Sequence, residues 1–105
     1  MTTWAHDGHP DHEAVGGTCR SLARTIGFRL FEAPVWMWHW AEPCDARVPW
    51  RRLRRVDLPG AAVRRKLDAL RAHVSQLDPR GRPGGAVLVP SIVARAYRPF
   101  EYLFL

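Results

Sequence analysis

Apolar residues recur at helical spacing in two stretches of the chain. In the first, Val15, Cys19, Leu22 and Ile26 are separated by four, three and four positions, which predicts a helix with one buried stripe. Pro10 suits its first position, because the proline ring fixes φ at a helical value and the missing N–H has no partner there in any case. Asp11 and Glu13 favour the positive end of the helix dipole, and Gly27 is placed to end the helix. Gly16 and Gly17 in the interior weaken it by roughly 1 kcal/mol each relative to alanine. In the second stretch, Val63, Leu67, Leu70, Val74 and Leu77 fall at intervals of four, three, four and three, the strongest periodic signal in the sequence. Pro59 opens that helix, and Arg64, Arg65, Asp68 and Arg71 form its far face.

Between the helices the pattern shortens. "FRLFEAP", residues 28–34, alternates and ends in proline, as a strand entering a loop does. "VWMWHW", residues 35–40, is expected to be extended, with Trp36, Trp38 and Trp40 on one side and Val35, Met37 and His39 on the other. Pro43 and Pro49 interrupt regular structure, and "RRLRRVDL", residues 51–58, reads as a short strand to which Leu53 and Val56 give its apolar positions. "DPRGRPGG", residues 78–85, is a loop by composition. The tail reads as a short turn or helix followed by a closing strand with Phe100, Tyr102 and Phe104 on one face.

Composition narrows the class. With 105 residues, 47% of them apolar and 25% charged, the chain has the make-up of one globular domain. No apolar run approaches the roughly 20 residues of a membrane span, and the first residues lack a basic and then apolar leader, so a cytoplasmic protein is expected. Cys19 and Cys44, 25 positions apart, form no CxxC pair and are expected to be free thiols. The net charge of +6 is carried by fifteen arginines and Lys66. "RRLRR" at 51–55 could meet phosphate, but without a nucleic-acid module or basic-aromatic interleaving a nucleic-acid partner is not expected.

The local anomaly is His6, Asp7, His9, Asp11 and His12, five metal-binding or proton-transferring groups within seven residues. Imidazole and carboxylate are normal zinc ligands, and a catalytic zinc takes three protein ligands and keeps a position for water. His9 and His12, three apart, can project to the same side of a loop-to-helix junction. A polar N-terminal loop accounts for the same spacing without metal.

"DGHPDHEAVG", residues 7–16, resembles the second signature of the PIG-L (LmbE-like) zinc-dependent N-deacetylases. "PVWMWHW", "VPWRRLRRVDLP", the stretch containing "AHVSQLD" and the terminal "RPFEYLFL" resemble the segments that follow this motif in bacterial members, so the likeness covers essentially the whole chain. The resemblance implies an α/β fold, with residues 1–105 forming a single partial domain: the C-terminal portion of a Rossmann-like three-layer architecture whose first half is missing. It implies Zn²⁺ as cofactor and an N-acetylated amino sugar or its conjugate as substrate. His12 takes the place of a zinc ligand, His9 that of the group that stabilises the oxyanion and protonates the leaving amine, and Asp11 that of the carboxylate that tunes His9.

The sequence departs from the family in one respect. Members begin with an A-H-P-D-D-E type loop that supplies two further ligands and the general base, and no such sequence occurs here. Two function classes follow: a deacetylase completed by a missing N-terminal half as partner, or a non-catalytic remnant that serves as an interaction module. Trp36, Trp38, Trp40 and Trp50 are either core residues or walls of a sugar cleft.

Overall fold

The computed structural model describes residues 1–78, 80 and 85–105. It has two compact units, one of Met1–Val56 with Tyr102–Leu105, the other of Asp57–Glu101. The first begins with β1 (Thr2–Thr3), α1 (Pro10–Ile26) and β2 (Glu32–Ala33). β1 and β2 are parallel, with Thr2 opposite Glu32 and Thr3 opposite Ala33. After the short helix α2 (Met37–Trp40) and a single 3-10 turn at Trp50–Arg52 comes β3 (Leu53–Asp57). In chain order α3 (Gly60–Ala72), α4 (Val74–Leu77), α5 (Pro90–Ala96) and β4 (Phe100–Phe104) complete the elements. The strands form one mixed sheet in the order β1-β2-β4-β3, with β4 antiparallel to β2. The protein is therefore a mixed α/β chain, and no helix of its described residues is long and apolar enough to cross a membrane.

The ends of α1 follow the sequence expectation. Pro10 occupies the first helical turn, and Gly27 closes the helix at φ 84°, the left-handed conformation that glycine adopts without a Cβ penalty. The expected buried stripe does not form. Val15, Leu22 and Ile26 are 53%, 48% and 68% exposed, and the face turned inward is His12, Gly16, Cys19, Arg20 and Ala23. The reason is the way α1 meets β1: Gly16 is buried so close to the strand that helix backbone and strand backbone nearly touch. The Thr3 hydroxyl donates to the His12 carbonyl at 2.8 Å. This docking selects the small residue, and leaves the larger apolar ones outside.

The core of the first unit is Trp4, Met37, Val48 and Phe104, with Trp38, Trp40, Trp50 and Leu53 packed around it. Trp4 lies 4.6 Å from Phe104 and stacks on Trp40 at 6.4 Å, ring centre to ring centre. The expected extended run at 35–40 is instead helix α2 from Met37 onward. The expected strand at 28–34 contracts to Glu32–Ala33, whereas the strand expected at 51–58 forms as β3. Val56 on β3 stays exposed.

In the second unit α3 packs on α5, and Lys66 donates to the Arg98 carbonyl and to Glu101, both at 2.8 Å. Val63, Leu67 and Leu70 are half-buried as their spacing predicts. The periodic run nevertheless breaks at His73, whose ψ of 52° leaves the helical range, and Val74 beyond it is 66% exposed. The helix and closing strand expected in the tail are α5 and β4. Most of the loop expected at 78–85 lies outside the described residues.

Candidate functional site

The site is organised by Asp7, which is fully buried. Its Oδ1 accepts from the backbone N–H groups of Val35 at 3.0 Å and Met37 at 2.9 Å, and its Oδ2 accepts from that of Trp36 at 2.7 Å. These are the free amides at the start of α2, so a carboxylate some thirty positions away caps that helix and converts an alternating stretch into a helical turn. The Asp7 carbonyl in turn accepts from Trp40 Nε1 at 2.8 Å, which fastens the other end of α2 to the same residue.

Oδ2 of Asp7 also lies 2.5 Å from Nδ1 of His12. A carboxylate ringed by amide donors is an acceptor only, so the proton between them belongs to His12 Nδ1. This fixes the ring: Nδ1–H points at Asp7 and the Nε2 lone pair points away from it. The His12 side chain keeps 23% of its surface exposed. A carboxylate on the far nitrogen of a histidine is the arrangement that orients imidazole as a metal ligand.

His9 caps α1, accepting at Nδ1 from the Asp11 backbone N–H at 3.3 Å. An imidazole accepting at Nδ1 carries its proton on Nε2, where it is a donor. The His9 and His12 rings lie 4.5 Å apart. Trp36 stands edge-on to His9 at 5.6 Å and stacks on His39 at 4.2 Å, which makes it the tryptophan that borders the histidine pair. Burial lowers the pKa of His39 from its ordinary 6.5, and the charge on Asp7 opposes part of that shift.

The five groups of the polar cluster thus separate. Asp7, His9 and His12 come together. His6 turns away to meet Arg20 Nη1 at 3.0 Å. Asp11 stays exposed, and it touches His9 through its backbone rather than its carboxylate. Trp38 packs near Tyr102, and Trp40 stacks on Trp4, both as part of the core. Cys19 and Cys44 are free thiols.

Two features escape a reading of the sequence. One is the pivot role of Asp7, whose only signal is an acid beside a glycine: Gly8 sits at φ 83° against the Trp40 ring. The other is Glu32, 2% exposed, which accepts from Arg20 Nη2 at 2.9 Å on both oxygens, from Arg52 at 3.4 Å and from the Ala5 amide at 3.2 Å. An acid inside the apolar run "FRLFEAP" is the sequence mark of such a pair.

Among the described residues no group of three or more His, Cys, Asp or Glu side chains converges to hold a metal ion. His12 fits zinc as one oriented ligand; a closed three-ligand set is not formed by the described residues. Comparisons with protein-family models, with curated proteins and with solved structures give no match to this chain.

Proposed function

We propose that this chain is the C-terminal portion of a PIG-L-like, Rossmann-related N-deacetylase that removes the acetyl group from an amino sugar or its conjugate. The observation that carries this reading is the Asp7–His12 pair, which holds one imidazole in the tautomer that a metal needs, with His9 4.5 Å away. The parallel β1-α1-β2 arrangement around it is in keeping with the same fold. Zn²⁺, when bound, supplies an activated water and polarises the amide carbonyl.

In this reading His12 offers Nε2 to the metal while Asp7 keeps the ring from turning. His9 donates a hydrogen bond from Nε2 toward the carbonyl oxygen as it gains charge. It passes a proton to the departing amine only from the doubly protonated ring, formed once Nδ1 has exchanged the Asp11 amide for a proton, and the ring then returns to neutral imidazole. Asp11 holds the His9 ring at the mouth of α1 through its amide. The two remaining ligands and the general base come from a separate polypeptide segment, and the 105 residues alone turn over no substrate.

The test supplies that segment and measures zinc per chain and kcat on an N-acetylglucosamine conjugate. His12→Ala lowers both zinc content and turnover, because the water is activated only by bound metal. His9→Ala keeps zinc and lowers kcat by roughly 10²-fold or more. Equal loss of zinc in the two variants would refute the division of roles, and unchanged kinetics in both would refute the site.

A second reading, a non-catalytic interaction module, is favoured by the exposed apolar stripe of α1. It requires that both substitutions leave zinc content and hydrolysis untouched.

A further inference from the structure

We propose that the cleft between the second half of α1 and the segment entering β2 binds a phosphate monoester with an apolar body. The proposal is independent of any metal at His12. The cleft has a volume of about 310 Å³ and is lined by Arg20, Arg24, Arg52 and Glu32 with Phe28 and Leu30. Counted along α1, Arg20 lies eight residues beyond His12, or about 12 Å at 1.5 Å per residue.

Three arginines line the cleft with one acidic side chain, Glu32. Glu32 holds Arg20 and Arg52 in place, and its buried position gives those side chains fixed geometry before any ligand arrives. Arg52 is tied further by Nε to the Leu105 carbonyl at 2.7 Å, which leaves its Nη1 without a partner among the described residues. Arg24 carries no hydrogen bond or ion pair among the described residues. Guanidinium forks match the oxygens of a phosphate, and a site whose positive groups are already ordered loses little entropy on binding it. Glu32 has little room for a third arginine, since its two oxygens already accept four hydrogen bonds from three nitrogens, of Arg20, Arg52 and Ala5.

The apolar part of the ligand follows from Phe28. Phe28 is 46% exposed beside these charges, and Leu30 in the same cleft is half-buried. A bare anion leaves that surface wet; an aromatic or aliphatic group attached to the phosphate covers it.

Calorimetric titration of the full chain with phenyl phosphate and with inorganic phosphate, at matched ionic strength, tests the proposal. Saturable one-to-one binding of both is expected, phenyl phosphate being tighter by about threefold or more. Arg24→Ala weakens both probes by roughly tenfold, the effect of one lost charge-assisted contact, and Phe28→Ala weakens phenyl phosphate alone. Arg24 is exposed and unpartnered, so its variant keeps the wild-type thermal transition and the comparison stays interpretable. Absence of saturation, or affinity unaltered in Arg24→Ala, would overturn the site. Equal affinity for the two probes would overturn the apolar body. Tighter binding of a single-stranded oligonucleotide than of phenyl phosphate would overturn the small-molecule assignment in favour of nucleic-acid phosphate.

Discussion

A Cβ added to Gly16 would stand 2.6 Å from the carbonyl oxygen of Thr3, whereas one added to Gly17 meets nothing within 4 Å. Adjacent glycines in one helix therefore have opposite costs. Gly16→Ala forces helix and strand backbones apart and destabilises by about 1–3 kcal/mol or more, the range for overpacking a tight contact. Gly17→Ala gains helix propensity and stabilises by roughly 0.5–1 kcal/mol. Urea denaturation of the two variants checks this, and shifts of the same sign would refute the close approach of α1 to β1.

Asp7→Ala removes the acceptor for three backbone amides and for His12 in a place closed to water. The expected loss is about 3–5 kcal/mol, the size seen when a buried charged partner is deleted. Asp11→Ala, at an exposed position four residues on, costs under about 1 kcal/mol. Comparable costs for the two aspartates, measured by chemical denaturation, would contradict the pivot role of Asp7.

Stability should respond to pH through His39. Its pKa lies below 6.5 in the folded chain because burial disfavours the charged ring, despite the opposing charge of Asp7. As pH falls through 6.5 the unfolded chain takes up this proton first, so folding free energy declines, and the decline ends once pH is below the folded pKa. The slope from this one group is at most about 1.4 kcal/mol per pH unit. His39→Gln removes it, so the stability of wild type relative to the variant falls between about pH 7.5 and 5.5. A difference that stays constant over that interval would exclude the effect.

The free chain should self-associate through α1. Val15, Leu22 and Ile26 together with Phe28 expose apolar surface along one helix and its exit, and contiguous patches of this kind promote association. Leu22→Glu combined with Ile26→Lys reduces the association seen by light scattering at matched concentration. Because both side chains are exposed, the thermal midpoint changes little. A wild-type chain that stays monomeric at high concentration would refute this.

Local signals carried part of the architecture. Pro10 and Gly27 marked the ends of α1 because both act through their own backbone chemistry, and the third- and fourth-residue spacing of Val63, Leu67 and Leu70 marked α3. What failed were features set by distant residues. Trp36, Trp38 and Trp40 alternate as a strand does, yet the carboxylate of Asp7 makes that segment helical, and no window of neighbouring residues contains Asp7 and Met37 together. The stripe from Val15 to Ile26 has helical periodicity but not inward orientation, because Gly16 decides which side of the helix meets the sheet. The closeness of His9 and His12 was legible from their spacing, while the partner of His12, five residues before it, was not.

Because Asp7 both caps α2 and orients His12, foldability and the orientation of that histidine are inherited together. A lineage without catalysis would still be selected to keep Asp7, since losing it destabilises the chain, and with Asp7 it would keep a histidine turned outward as if for metal. His9 has no such protection: its ring accepts one cap bond that serine, threonine or asparagine provides equally well. Genetic drift at His9, set against constancy at Asp7, is thus the trace that an idle site would leave behind.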